Sequence, residues 1–327
     1  MTSSVDDLRA AAEALCGGAI SAFDVVGGGG NNRVYRVETD DELYALKVYP
    51  RGSADTRDRL TAESAGLAFV SRHLPERVPV PIAVDHVHGI ALYTWIAGER
   101  VGERELDDVR EAAAFVRDLH AVRADPAART LGLASEAIVG NTDVLGQIDA
   151  RLIRLRGVAA HDPALAAVLH ERFEPELAAR RRLDAAFERL PMPYRTLSPS
   201  DFGFHNALRR RGRLVFIDFE YFGWDDPVKL VSDFIWHPAM NLDAEERTIW
   251  LDEATRTFGA DPQYAERLRA YSPLIALRWV EIILNEFIPE VWERRVFAGQ
   301  TDTWQAVKNR QLAKAVGILD RLADAER

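Results

Sequence analysis

The chain is short of cysteine, of basic charge and of long apolar runs, and each shortage removes a class of protein. Its one cysteine, Cys16, has no partner within the chain, so no internal disulfide framework is expected. Lys and Arg together number 41 against 51 Asp and Glu, a formal net charge of −10. That balance argues against a nucleic-acid surface as the main business of the protein and suits a cationic or metal-associated ligand better. The longest apolar runs, Leu274–Leu277 and Trp279–Leu284, are interrupted by Arg278 and Glu281, far short of the roughly 20 residues that a membrane span needs. The start, MTSSVDDLRAAAEAL, is acidic and amphipathic rather than basic and then apolar, so no secretory leader and a cytoplasmic location are expected. No repeat or low-complexity tract is present, and 47% hydrophobic with 28% charged residues excludes global disorder. Two common phosphate-binding loops are missing as well. G-x-x-x-x-G-K-[ST] occurs nowhere, and G-x-G-x-x-G fails because Gly27 and Gly29 are followed by Asn32, with a strand beyond it.

What is present reads as two lobes, which the 327 residues can fill. Residues 5–15 predict a short helix. Between Ser21 and Tyr49 the pattern alternates as a strand meander, SAFDVV, RVYRVET and LYALKVY, broken at GGGGNN and Asp40-Asp41. Helical spacing returns over 56–74, where Leu60, Leu67, Val70 and Leu74 share a stripe; PIAVDHVHGIALYTWI is again strand, turning at His88-Gly89. Residues 1–95 thus form a sheet lobe, 96–104 (IAGERVGER) a connector, and 105–327 a mostly helical lobe. Helices are expected around 105–120, over the long stretch 162–190, and at 243–258, 262–287 and 302–325. Between Leu197 and Asp225 a loop, LSPSDFGFHN, leads into two short strand-like pieces joined at Gly212.

Three features carry chemistry. Consecutive glycines, among them Gly28, Gly29 and Gly30, suit a backbone that approaches something closely, and a glycine turn between antiparallel strands has the shape of a lid over phosphates. A loose hairpin is the plainer alternative. Lys47 sits on one strand face with Ala45 and Tyr49, and Glu63 falls on the buried stripe of the following helix. Paired, they would cancel most of the several kcal/mol that an unpaired buried charge costs and would hold the lysine ready for phosphate oxygens; the alternative is a snorkelling lysine and a flanking glutamate. Asp201 and Asn206 are five apart in a loop, and Asp218 follows a strand of the form LVFID. Phosphoryl transfer needs an acceptor for the substrate hydroxyl proton, which Asp201 suits, and hard oxygen ligands for Mg²⁺, which Asn206 and Asp218 suit.

At these residues the sequence resembles the aminoglycoside phosphotransferase and choline kinase group, the small-molecule branch of the protein-kinase-like fold. That pattern runs from a glycine loop with an Asn (Asn32), a strand Lys (Lys47) and a helix Glu (Glu63), through H-x-D-x-x-x-x-N (Asp201, Asn206). It ends with I-D-x-E (Asp218, Glu220) and a G-D-P-x-x-D-L helix, matched by Gly223, Asp226, Pro227 and Asp233. The resemblance implies an α+β, two-lobed protein-kinase-like fold, an N-terminal antiparallel sheet lobe with a mostly helical C-terminal lobe. It implies ATP as phosphoryl donor, GTP remaining an open alternative, with adenine at the hinge Thr94-Trp95-Ile96. It further implies Mg²⁺ as cofactor and a small-molecule hydroxyl acceptor received in the C-terminal lobe, where Trp224, Asp225, Glu281 and Glu286 are candidates. An aminoglycoside, amino sugar or other sugar is the first expectation, choline or an amino alcohol the second.

One position departs from the pattern. The family histidine two residues before the catalytic aspartate is here Pro199, which leaves the bracing of the loop to Ser198, Ser200 or His205 and keeps open a weakly active, nucleotide-binding pseudokinase module. A protein kinase is disfavoured, because Asp218 is followed by Phe219-Glu220 rather than Phe-Gly, and no Ala-Pro-Glu segment occurs. His86-x-His88 beside a turn and the basic runs Arg180–Arg182 and Arg209–Arg213 read as ordinary surface.

Overall fold

A computed structural model of the chain describes residues 5–26, 32–50, 57–182, 187, 189–297 and 300–324. The expected glycine turn at Gly28, Gly29 and Gly30 lies outside the described residues. In chain order the elements begin α1 (Val5–Cys16), β1 (Ala22–Val26), β2 (Arg33–Glu38), β3 (Leu43–Val48), α2 (Arg59–His73), β4 (Pro81–Asp85), β5 (Ile90–Thr94), β6 (Glu99–Arg100) and α3 (Leu106–Val122). They continue α4 (Asn141–Ala159), α5 (Pro163–Val168), α6 (Glu174–Arg180), β7 (Thr196–Ser198), β8 (Ala207–Arg210), β9 (Arg213–Phe216) and β10 (Gly223–Asp225). The chain ends with α7 (Pro227–Trp236), α8 (Ala244–Phe258), α9 (Tyr264–Leu284), α10 (Pro289–Phe297) and α11 (Trp304–Asp324). Two compact units result, Met1–Ser135 with Pro199–Gly223, and Glu136–Ser198 with Trp224–Arg327.

The first unit is built on a five-stranded antiparallel sheet of order β1-β2-β3-β5-β4. Alternation along the strands sorts the side chains. Tyr35, Val37, Leu46, Ile90 and Leu92 pack with Leu8 and Ala12 of α1, while Lys47, opposite Val34 and Ala91, belongs to the other set. Asp58 caps α2 by accepting the Thr61 amide at 3.1 Å, and the helix buries Leu60, Glu63, Leu67 and Val70 as one stripe. Gly66 lies on the same helix because a Cβ there would stand 2.5 Å from the Phe222 ring. The β8–β9 hairpin closes on two residues of positive φ, Arg211 (52°) and Gly212 (78°), the twist that tight hairpins prefer. The connector at 96–104 contributes β6, which pairs with β8.

In the second unit α9 packs against α4, α7 and α11. Its residues Leu274, Ile275, Ala276, Leu277 and Val280 are fully buried. Ions hold the ends of these helices: Lys229 on α7 meets Asp225 at 3.3 Å and Asp233 at 2.7 Å, and Arg267 on α9 meets Asp226 at 2.6 Å and Asp261 at 2.8 Å. The single helix expected over 162–190 is divided. After α5 the chain makes a π turn, Leu169–Phe173, in which the Glu174 amide donates to Leu169 O, five residues back. Pro175 at the start of α6 has no amide to continue the ordinary ladder, and α6 stops at Arg180.

Candidate active site

Two Asp-Phe pairs place the candidate acids of the first unit. Phe202 and Phe219 are buried and meet Phe115 of α3 at 5.8 and 6.5 Å between ring centroids, with Phe216 at 4.5 Å from Phe115 and 4.7 Å from Phe202. Asp201 and Asp218 are therefore carried on one aromatic cluster. Backbone bonds add to this: the Ile217 amide donates to Asn206 O at 2.9 Å, continuing the β8–β9 ladder, in which Ala207 faces Phe216, so the catalytic-loop end and the strand end run side by side.

Lys47 is 7% exposed and extends between two carboxylates, its Nζ donating to Glu63 Oε2 at 2.6 Å and to Asp218 Oδ1 at 2.5 Å. Burial by itself would lower its pKa, but Glu63, Asp218 and Glu220 override burial and raise it, so the ammonium stays charged. An ammonium has three protons, and two are committed here. Glu63 is tied on every side: Oε2 also accepts from Tyr49 Oη at 2.7 Å, and Oε1 accepts from the Phe219 amide at 3.1 Å. Tyr93 Oη stands 2.7 Å from Tyr49 Oη. The Lys47–Glu63 pair expected from spacing is thus formed, and Tyr49, which shares the strand face of Lys47, and Tyr93 join it. Tyr49 is legible from that place; Tyr93 is one strand over.

Asp201 follows a tight turn in which its amide donates to Pro199 O at 2.9 Å across Ser200, whose φ is +68°. Ser200 Oγ anchors the turn on Ser135 O at 3.3 Å. The carboxylate is held from two sides, His205 Nε2 lying 3.0 Å from Oδ1 and Asn206 Nδ2 donating to Oδ2 at 3.3 Å and to Asp201 O at 2.9 Å. Asp218 also has a left-handed backbone, φ +66°. Non-glycine residues in that region are held there by their surroundings and concentrate at functional sites.

Glu220 does not face outward beside Asp218. It is 3% exposed, accepts from Asn32 Nδ2 at 2.5 Å and pairs with Arg59 Nη1 at 3.1 Å, so it ties Asn32, two residues past the last glycine, to the start of α2. Arg59, whose guanidinium also lies 5.2 Å from the Tyr221 ring centroid, carried no sequence signal. At Thr94-Trp95-Ile96, the expected hinge, the Thr94 amide donates to Val80 O and the Trp95 amide to Leu43 O at 3.2 Å, and Ile96 O accepts from the Gly98 amide. Among the described residues the Ile96 amide has no acceptor.

The donor set fits a hard divalent cation. Asp218 is 35% exposed, its Oδ2 and the Asn206 Oδ1 have no hydrogen-bond donor among the described residues, and Mg²⁺ takes one or two such protein oxygens together with phosphates.

The four acceptor candidates lie in the second unit and differ in state. Trp224 is buried. Asp225, expected to face an acceptor, is instead fully buried, accepting the Ile138 and Asp226 amides at 2.9 Å each beside Lys229; burial raises it to about 6, against the pull of Lys229. It shapes the start of α7 and exposes no carboxylate oxygen. Glu286 is held by Arg295 Nε at 2.8 Å. Glu281 is fully buried, and neither of its oxygens has a hydrogen-bond partner among the described residues.

Comparison with known proteins places this geometry. No curated protein sequence matches the chain. A choline/ethanolamine kinase family protein from Mesorhizobium loti superposes with a TM-score of 0.57 at 17% identity, over 96% of this chain and 94% of that one. A choline kinase from Cryptosporidium parvum Iowa II gives 0.59 at 13%, over 94% and 91%, and a spectinomycin phosphotransferase in complex with ADP and spectinomycin gives 0.63 at 9%, over 95% and 99%. At such identities the likeness is one of fold, which is protein-kinase-like. The model of the phosphotransferase enzyme family matches residues 23–271. That span exceeds half of the chain and holds Lys47, Glu63 and both Asp-Phe pairs; the protein therefore belongs to the phosphotransferase enzyme family.

Proposed function

We propose that the protein transfers the γ-phosphoryl group of ATP to a hydroxyl group of a small molecule, with a sugar or amino sugar, aminoglycosides included, as the preferred acceptor class. The observation that carries the reading is Lys47, held charged between Glu63 and Asp218 at 2.6 and 2.5 Å. With two protons committed, its third is available to phosphate oxygens. The Ile96 amide would receive the adenine, and Asn32, positioned by Glu220, would close the glycine turn over the phosphates.

Asp201 accepts the proton of the acceptor hydroxyl. The hydroxyl oxygen then bonds to the γ-phosphorus in line with the leaving oxygen, the bond to the β-phosphate oxygen breaks, and its electron pair departs with ADP. Asn206 and Asp218 would hold Mg²⁺, which when bound neutralises phosphate charge. The residues of the chain orient the two reactants and take the proton.

The test is acceptor-dependent ADP release from Mg-ATP across a panel of aminoglycosides, sugars, choline and amino alcohols, comparing wild type with Asp201→Asn and Asp218→Ala. Expected is release with at least one carbohydrate acceptor, lost by about 10²-fold or more in Asp201→Asn; Asp218→Ala should abolish Mg-dependent nucleotide binding. Release equal to that of Asp201→Asn across the whole panel sinks the proposal. Turnover with choline alone would transfer it to the amino-alcohol class.

A further inference from the structure

We infer that His205 is a positioning residue for Asp201, fixing one carboxylate oxygen so that the other takes the proton of the acceptor; the inference rests on the phosphotransfer reading above. Pro199 offers no side-chain donor two residues before Asp201, and the backbone turn there is held by Ser200 and Ser135. From the C-terminal side two groups reach the carboxylate, His205 and Asn206. His205 Nε2 lies 3.0 Å from Oδ1, and with Asp201 ionised the proton of that bond belongs to the imidazole. Asn206 reaches Oδ2 only at 3.3 Å, and the metal assignment asks the same side chain for its Oδ1. Of the two, His205 makes the shorter contact, at 3.0 Å.

The ring is itself held. It follows Phe204, which is 4% exposed and lies 5.4 Å from the Arg104 guanidinium, and the turn closes through the Asn206 amide on Gly203 O at 3.0 Å. A displacement of about 1 Å at such a base costs roughly 10²-fold in rate.

The experiment compares kcat and KM of the full-length enzyme with its best acceptor for wild type, His205→Ala, His205→Gln and His205→Asn. It is accompanied by imidazole ¹⁵N spectra of the nucleotide-free protein with and without Asp201→Ala. Expected for His205→Ala is a kcat loss of roughly 10- to 100-fold with both KM values within about twofold. The Gln amide stands where Nε2 stands and should restore most of the rate; the Asn amide mimics Nδ1 and should not. The spectra should show the Nε2–H tautomer in the wild type and a shifted Nε2 signal in Asp201→Ala. Unchanged kcat in His205→Ala, equal rescue by Asn and Gln, or a ring spectrum indifferent to Asp201→Ala each overturns the assignment. If the wild type turns over no acceptor, the phosphotransfer reading falls instead, and the spectra still decide whether His205 holds Asp201.

Discussion

Glu281 gives the sharpest test of the energetics. It lies on α9, fully buried, with neither oxygen hydrogen-bonded among the described residues. Burial pushes its carboxyl from 4.5 up to about 9, with Arg151 and Arg278 pulling the other way. The folded protein therefore keeps the proton to higher pH than the unfolded chain does. The stability tied to that proton is fully present below pH 4.5 and is lost as pH rises toward about 9. Each pH unit in that window is worth about 1.4 kcal/mol. Between about pH 5 and pH 8 the wild type should lose about 4 kcal/mol relative to Glu281→Gln, which cannot ionise. Every other titrating group is common to both proteins and cancels in the difference. Urea unfolding followed by the emission of the seven tryptophans provides the measurement. The buried amide has donors of its own to satisfy, so Glu281→Gln starts with a handicap at low pH and overtakes the wild type as pH rises. A stability difference that is the same at both pH values refutes the reasoning.

Three further substitutions have expected outcomes. Lys47→Met strands Glu63 beside Asp218, and loss of a buried partner costs about 3–5 kcal/mol; urea midpoints should fall accordingly, nucleotide titration should show no binding, and adding Glu63→Gln should recover part of the stability. Gly66→Leu drives a side chain into Phe222, whose ring already stands 2.5 Å from the Cβ position, so a loss of about 2 kcal/mol or more is expected in the same urea measurement, whereas Gly157→Ala on α4, with nothing within 4 Å, should gain up to about 1 kcal/mol.

The elements of the sheet were legible because one face of it is apolar: Tyr35, Val37 and Leu46 alternate as a half-buried strand must. Glu63 was legible for the opposite reason, as a charge placed on a buried stripe. The spacing of Asp201, Asn206 and Asp218 likewise announced a loop and a strand end meeting, which the Ile217–Asn206 bond realises. Asn32, Arg59 and Glu220 show where such reading stops. Their contacts join residues 188 and 161 positions apart, and a separation of that size leaves no periodicity to read. Helix α4 escaped notice because its N-cap is Gly140, which has no side chain to signal a start. Asp225 marks the same limit: an acid in an apolar stretch reads equally as a ligand group and as a receiver of buried amides, and its amide partners, Ile138 and Asp226, are visible only in the fold.

The phenylalanine cluster governs time as well as place. Phe202 and Phe219 enter it from the residues next to Asp201 and Asp218, so neither acid can leave by fraying of its own loop. Displacing one means opening the rings that seat the other. Amide hydrogens at Ile217 and Phe219, bonded to Asn206 O and Glu63, should then exchange with solvent in a single slow opening rather than in two local ones. Asp201 and Asp218 would share one lifetime, and heating would remove them together.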